Sequence, residues 1–201
     1  MLSATKKFLA TVAVLSTWAL TAHATGPIKG RDLMTATAKN ENLALQAEAD
    51  KQITVAPGEL GTVVIFLSSH CPCSDSHVAL VKDLVRDFSK FSFVAVHSNE
   101  DENLAEAQNY FRGVNLGMPI IQDQQAKLAD EFRALKTPHA FVIGKNGQVL
   151  YRGGITSSNY GPSADRAYLR DALNDIVLNR TVRQPEGRTL GCLISRTTRS
   201  L

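Results

Sequence analysis

The stretch Thr62-Val63-Val64-Ile65-Phe66-Leu67-Ser68-Ser69-His70-Cys71-Pro72-Cys73 joins an apolar run to a pair of cysteines. The run is β-branched and aromatic, as in a buried strand. Apolar residues recur at helical spacing after the cysteines: Val78, Leu80, Val81, Leu84, Val85 and Phe88. Cys71 is therefore expected where a helix begins. Free backbone N–H groups and the helix dipole stabilise a thiolate there, so the pattern predicts Cys71 as a redox nucleophile.

Alternating strands and helices are predicted after this pair. The pattern indicates strands over 91–97, 119–122, 140–143 and 148–152, and helices over 103–111, 126–135 and 168–178. The helix over 126–135 is expected to bury Leu135 on its apolar face. Asn146-Gly147 is a strong hairpin signal between the last two strands. This order predicts one central mixed sheet with helices packed on it.

The first 24 residues have the pattern of a secretory leader. Lys6 and Lys7 precede an apolar stretch over 8–20, and Ala22 and Ala24 place small residues where a signal peptidase cleaves. That stretch is too short to favour a membrane anchor. We therefore expect export to a periplasmic or extracellular space, with no stable membrane anchor after cleavage. The mature chain of 177 residues is enough for one domain.

Charge does not identify a partner. Of 22 basic residues, 20 remain after the leader is lost, against 19 acidic ones, and the basic residues of the tail are typical of a solvated terminus. We expect no nucleic acid partner. An exported protein keeps disulfides, and the three cysteines, Cys71, Cys73 and Cys192, allow at most one intramolecular pair.

Four landmarks resemble the thioredoxin-like superfamily. They are the strand-to-nucleophile step at 66–71, Thr137-Pro138 as the Thr before a cis-proline, the hairpin over 145–153, and the ending Gly191-Cys192-Leu193-Ile194. The last is similar to exported redoxins grouped with alkyl hydroperoxide reductase and thiol-specific antioxidant proteins. The resemblance implies an α/β thioredoxin-like fold with a β-α-β-α-β-β-α core.

The same resemblance implies a division of the chain. After the leader (1–24), we expect an N-terminal extension (25–60), then a thioredoxin-like domain (61–180). A C-terminal tail (181–201) carries Cys192. Within the extension, Leu43, Ala44 and Ala47 share one helical face, so their spacing, rather than the resemblance, predicts a short helix over 43–51.

Two departures keep the chemistry open. Thioredoxins have Trp before the nucleophile and a second cysteine three positions after it, whereas this chain has His70 and Ser74 there, with Cys73 between. Peroxiredoxins have Thr three residues before the peroxidatic cysteine and Pro four residues earlier, whereas this chain has Ser68 and Val64. Thiol-disulfide exchange and thiol peroxidase chemistry both remain hypotheses.

The resemblance implies that Cys71 attacks and that Cys73 or Cys192 resolves. A Cys71–Cys73 disulfide would close a small ring through Pro72, and strained disulfides are labile. A bond to Cys192 would instead close a loop of about 120 residues, stabilised by roughly 4 to 5 kcal/mol. Which cysteines pair is not decided by the sequence.

The neighbouring residues supply candidate binding groups. Thr137 and a cis-Pro138 are expected to dock an extended substrate, and Ser68 and His70 lie next to the nucleophile along the chain. The expected partners are protein thiols or disulfides, or a hydroperoxide, together with an unknown electron donor. We predict no cofactor and assign no metal ligand.

An alternative is a non-catalytic or copper-binding module on this fold. Two thiolates with a nearby imidazole can hold soft Cu(I). His70 and His77 flank the cysteine pair, and His77 lies four residues after Cys73, on the same helix face.

Overall fold

The computed structural model describes residues 26–36 and 51–196. The predicted leader lies outside the described residues, as does the predicted helix over 43–51 except for Lys51. Within the described ranges, none of the helices combines the length and apolar character that crossing a membrane requires.

Strands and helices alternate along most of the described chain. The strands are β1 (Ile28–Asp32), β2 (Gln52–Val55), β3 (Gly61–Phe66), β4 (Phe91–His97), β5 (Ile120–Gln122), β6 (Lys136–Thr137), β7 (His139–Ile143), β8 (Val149–Gly153) and β9 (Cys192–Leu193). The α-helices are α1 (Pro72–Asp75), α2 (Val78–Asp87), α3 (Leu104–Val114), α4 (Lys127–Phe132) and α5 (Tyr168–Val177). Short 3-10 turns occur at Leu33–Thr35, Gln124–Ala126 and Gly161–Ser163.

Seven strands form one mixed sheet in the order β2-β1-β5-β4-β3-β7-β8. β3 pairs in parallel with β4 and antiparallel with β7. The predicted central mixed sheet with flanking helices is therefore confirmed. β1 and β2 add to its edge beyond β5, although the weak pattern before Gly61 predicts no strand there. The short strands β6 and β9 form a separate antiparallel pair.

The strand that leads to the cysteines is buried on both faces of the sheet. Val63 and Ile65 pack into one apolar cluster, and Val64 and Phe66 into another on the opposite face. Successive side chains of a strand point to opposite faces, so a strand covered on both sides is apolar throughout. This packing holds the carboxyl end of β3, and with it the cysteine pair, in a fixed position.

The helix after the cysteines is interrupted. α1 ends at Asp75 because the side chains of Ser76 and His77 both hydrogen-bond the Cys73 carbonyl oxygen, at 3.0 and 2.7 Å. Side chains that bond nearby backbone groups in this way compete with the helical ladder. The amphipathic helix resumes at Val78 and buries Val81 and Leu84, in agreement with the predicted spacing.

The predicted helix over 126–135 is shorter than expected. α4 ends at Phe132, Arg133 adopts a left-handed conformation with φ of 53°, and the Ala134 N–H donates to the Ala129 carbonyl at 2.8 Å. This turn reorients the chain, so Ala134 is buried and Leu135 is 62% exposed. The prediction that Leu135 belongs to the buried face is wrong.

Candidate active site

Cys71 lies at the point where β3 gives way to α1. It is the N-cap residue of the helix, with extended backbone angles (φ −87°, ψ 112°), and Pro72 occupies the first helical turn. Proline is favoured there because its missing N–H would have no helical partner. The structure thus confirms that Cys71 opens a helix, although only 2% of the residue is exposed.

The three cysteines converge although Cys192 is distant in sequence. All three are free thiols, and their Sγ atoms lie within 4.8 Å of one another. β9 pairs with β6 in a register that sets Cys192 opposite Thr137. The Thr137 carbonyl oxygen in turn accepts a hydrogen bond from the Cys71 thiol at 3.2 Å. We call these three side chains the cysteine triad.

The Thr137–Pro138 peptide bond is cis, as predicted. Both residues are buried. The backbone edge of Thr137, which the resemblance assigns to a substrate, is paired with β9 of the same chain. The tail therefore covers Cys71 from the side on which an extended substrate is expected.

The tail is held by close and specific contacts. Gly191 has a φ of 153°, and a Cβ atom added to it would lie 2.0 Å from the Thr137 carbonyl oxygen. Further along, the Ile194 N–H donates to the Leu135 carbonyl at 2.9 Å, and the Arg196 guanidinium donates to the Ala134 carbonyl at 2.6 Å. Only glycine fits at position 191 without moving the strand.

The three thiols of the triad differ in pKa. Burial of the Cys71 sulfur raises its pKa, but hydrogen bonds from the Cys192 thiol and from nearby backbone N–H groups outweigh burial and lower that pKa to about 7. Burial and the neighbouring Cys71 raise the pKa of Cys192 to about 12. The pKa of Cys73 is also raised, first by burial and then by the charge of Cys71. Cys71 is therefore the first of the three thiols to ionise, and the thiolate is the nucleophilic form.

A buried carboxylate secures the loop before Cys71. Glu102 lies 2.9 Å from the His97 Nε2 atom, and the two side chains are 3% and 1% exposed. Its oxygens also accept hydrogen bonds from the Ser69 N–H at 2.9 Å and from the hydroxyls of Ser68 and Ser69. Burial raises the pKa of Glu102, but the bonds to His97, Ser68 and Ser69 lower it to about 2. We call this group the Glu102 clamp.

Sequence reasoning did not identify Glu102 as a site residue. A signal was present, because Glu102 closely follows β4, which runs parallel to β3. The carboxyl ends of adjacent parallel strands meet at the same edge of a sheet, so polar residues after β4 are expected beside the loop that follows β3. The acidic character of 100–102 was the available clue.

The predicted binding residues beside the nucleophile have other contacts. The Ser68 hydroxyl donates to Glu102, so that proton is not available to Cys71. The His70 side chain is 55% exposed and its Nε2 atom lies 3.2 Å from Glu106. His77 is buried, with Nδ1 at 2.7 Å from the Cys73 carbonyl oxygen and Nε2 at 2.9 Å from the Thr156 hydroxyl.

Comparison with known proteins finds a family match that contains part of this site. Residues 61–149 match the family model described as thioredoxin-like. This chain has a thioredoxin-like domain. The match contains Cys71, Cys73 and the cis-Pro138 segment, whereas Cys192 lies beyond it.

The chain also has relatives in sequence and in structure. Over 136 residues it is 26% identical to the thiol:disulfide interchange protein CycY of Rhizobium leguminosarum bv. viciae. The aligned segment covers 65% of this chain and 66%, just under two thirds, of CycY. A crystal structure of an uncharacterized conserved protein from Geobacillus kaustophilus superposes with a TM-score of 0.71 at 19% identity, covering 88% of this chain and 92% of that one. The crystal structure of a hypothetical protein from Sinorhizobium meliloti 1021 superposes with a TM-score of 0.70 at 19% identity, covering 87% of this chain and 93% of that one. These two likenesses show the fold.

Proposed function

We propose that this chain is an exported thiol-disulfide oxidoreductase in which Cys71 attacks and Cys192 resolves. The observation that carries the proposal is the cysteine triad, where three free thiols gather at a helix start and the pKa of one is lowered to about 7. The sequence relative CycY is named a thiol:disulfide interchange protein, which supports the same chemistry. In this proposal residues 1–24 are the export leader, 61–180 the catalytic domain and 181–201 the tail that carries the resolving thiol.

The chemistry is two successive exchanges. The Cys71 thiolate attacks one sulfur of a substrate disulfide, and the other substrate sulfur leaves as a thiolate and takes up a proton. Cys192 then loses its proton and attacks the Cys71 sulfur, which expels the second substrate sulfur as a thiol. The substrate gains two electrons and two protons, and the enzyme holds a Cys71–Cys192 disulfide. A dithiol reductant then reduces the Cys71–Cys192 disulfide and regenerates the enzyme. The same steps in reverse oxidise substrate thiols.

Two features favour Cys192 over Cys73 as the resolving thiol. Strand pairing positions Cys192 opposite Thr137, whose carbonyl oxygen accepts the hydrogen bond of the Cys71 thiol. A Cys71–Cys73 disulfide would span Pro72 alone, which strains the ring.

The pKa of Cys192 is raised by burial and also by the Cys71 thiolate, and that second cause disappears once Cys71 is consumed in a mixed disulfide. Cys192 therefore becomes easier to ionise at the step that needs it.

Access to Cys71 requires the tail to move. Cys71 is 2% exposed, and β9 occupies the neighbouring Thr137 edge. In the proposed cycle β9 leaves, an extended substrate takes its place beside Thr137 and cis-Pro138, and the returning tail delivers Cys192 to the mixed disulfide. The tail thus alternates with the substrate at one edge.

We expect Cys192→Ser to trap the mixed disulfide. Cys71 can still attack a substrate disulfide, but the resolving thiol is absent, so turnover falls more than about 100-fold and a covalent complex through Cys71 accumulates. The complex is measured by mass spectrometry of the unreduced protein after mixing with a protein disulfide. Cys73→Ser is the matched comparison and should not accumulate it.

Trapping in Cys73→Ser, with normal turnover in Cys192→Ser, would assign resolution to Cys73. No covalent complex in either variant, with no turnover in the wild type, would remove the oxidoreductase proposal itself.

We expect Gly191→Ala to unseat β9 and expose Cys71. The added methyl group meets the Thr137 carbonyl at 2.0 Å, and a positive φ strains alanine by about 1 to 3 kcal/mol. The rate of Cys71 alkylation through the open form should rise by roughly ten-fold for each 1.4 kcal/mol by which the closed form is destabilised. The labelling rate is read from the Cys71 peptide of the reduced protein, with fragmentation to separate Cys71 from Cys73.

Gly113→Ala is the control for this variant. Gly113 lies in α3, and an added methyl group would have no atom within 4 Å. It should leave Cys71 labelling unchanged and stabilise the fold by roughly 0.5 to 1 kcal/mol. Equal Cys71 labelling in Gly191→Ala and the wild type would contradict the covering role of the tail.

A further inference from the structure

The cysteine triad has the composition of a soft-metal site as well as of a redox site. Its sulfurs come from the N-cap of α1, the first turn of α1 and β9, and they lie within 4.8 Å of one another. Among the described residues, these three form the only group of three or more His, Cys, Asp or Glu side chains close enough to share an ion. We infer that the reduced protein binds one Cu(I) ion through the sulfurs of Cys71, Cys73 and Cys192.

The number and type of ligands favour Cu(I). Thiolates are soft donors that select Cu(I), Zn²⁺ or iron–sulfur clusters. Structural zinc sites are closed by four tetrahedral ligands, and the described residues supply three here. Three sulfurs around one monovalent soft ion match this arrangement.

Histidine does not complete the site in this structure. Both ring nitrogens of His77 are within hydrogen-bond distance of other partners, the Cys73 carbonyl oxygen and the Thr156 hydroxyl. His70 is directed to Glu106 instead. The copper alternative suggested by the sequence, two cysteines and an imidazole, is therefore replaced by three cysteines, with Cys192 as the third ligand.

Metal binding and disulfide exchange compete for the same thiols. Binding of Cu(I) displaces the protons of those triad thiols that are not yet ionised and transfers no electron. A Cys71–Cys192 disulfide removes two of the three ligands, so copper is held by the reduced protein alone. The proposed catalytic cycle runs without the metal, so this inference stands apart from the proposed function.

The test is a Cu(I) titration of the fully reduced protein without oxygen, against a chromophoric Cu(I) chelator. We expect one tightly bound equivalent and an X-ray absorption spectrum with sulfur neighbours only. Cys71→Ser, Cys73→Ser and Cys192→Ser should each weaken binding more than about 100-fold, since loss of a group that merely orients a ligand already costs roughly 10 to 100-fold. His70→Ala is the matched control and should bind as the wild type does.

Several results would overturn the inference. These are no binding, a second copper per chain, a nitrogen neighbour lost in His70→Ala, full affinity in Cys192→Ser, or equally tight Zn²⁺ binding that displaces copper. Cys71 is buried, so the half-buried Cys73 and Cys192 variants decide the outcome if Cys71→Ser does not fold by circular dichroism. Disulfide exchange is measured separately on metal-free protein, so loss of either property is seen independently.

Discussion

Replacement of Cys71 by serine is expected to abolish catalysed disulfide exchange, lowering turnover at least about a thousand-fold. A serine hydroxyl does not ionise near neutral pH, whereas the pKa of Cys71 is lowered to about 7. Serine is nearly isosteric and can keep the hydrogen bond to the Thr137 carbonyl that the Cys71 thiol makes at 3.2 Å. The measurement is the rate at which a dithiol reduces insulin disulfides in the presence of each variant.

Cys73→Ser is the matched comparison for this experiment. It removes the neighbouring thiol of the same helix turn but leaves both Cys71 and Cys192, so turnover should persist at a measurable level. Full activity in Cys71→Ser would show that another group attacks. Activity lost in Cys73→Ser and retained in Cys71→Ser would make Cys73 the nucleophile.

Removal of the Glu102 clamp is expected to have the largest effect on stability. Glu102→Ala leaves His97 buried without its carboxylate partner and removes the acceptor of the Ser69 N–H. Leaving a buried hydrogen-bond donor without its acceptor costs about 1 to 3 kcal/mol. The free energy of unfolding in urea should fall by about that amount, and Cys71 should alkylate faster because the preceding loop is released.

Glu106→Ala is the control for the Glu102 clamp. Glu106 is also a glutamate paired with a histidine, but both side chains are more than half exposed. Exposed pairs contribute about 0 to 1 kcal/mol, so this variant should unfold almost as the wild type does. A similar loss in both variants, or none in Glu102→Ala, would contradict the clamp.

The same carboxylate makes stability depend on pH. The pKa of Glu102 is lowered in the fold from its ordinary value of 4.5 to about 2, with burial opposing the shift and the bonds from His97, Ser68 and Ser69 producing it. The unfolded chain therefore binds this proton more readily. The stabilisation is complete above the ordinary pKa and is lost as the pH falls through the folded one. Glu102→Gln should lack this part of the acid-induced decline.

Local sequence patterns predicted much of the site. The apolar run before Cys71 and the helical spacing after it correctly indicated a strand and a helix start at this cysteine. Thr137-Pro138 correctly indicated a cis bond through its resemblance to a known motif. These features depend on residues that are close together along the chain, or on a short motif, so a single sequence contains the information.

Other features depended on contacts between distant segments. β1 is polar and gains its place by pairing with β2 and β5, so its own pattern is weak. Leu135 was assigned to a helical face, but α4 ends early because the turn at Arg133 bonds back to the helix. Glu102 acquires its partners only when parallel pairing brings the ends of β3 and β4 together.

The amino-acid order was enough to place Cys71 at a helix start and to make it the candidate nucleophile, because apolar periodicity and the helix dipole act over a few residues. It left the partner of Cys71 open between Cys73 and Cys192. The tertiary structure brings Cys192 to the other two thiols by pairing β9 with β6 and by seating Gly191 against the Thr137 carbonyl. That pairing joins Thr137 to Cys192, about 55 residues further along the chain, and the contacts that offset the entropic cost of closing this loop form only when the whole sheet is folded.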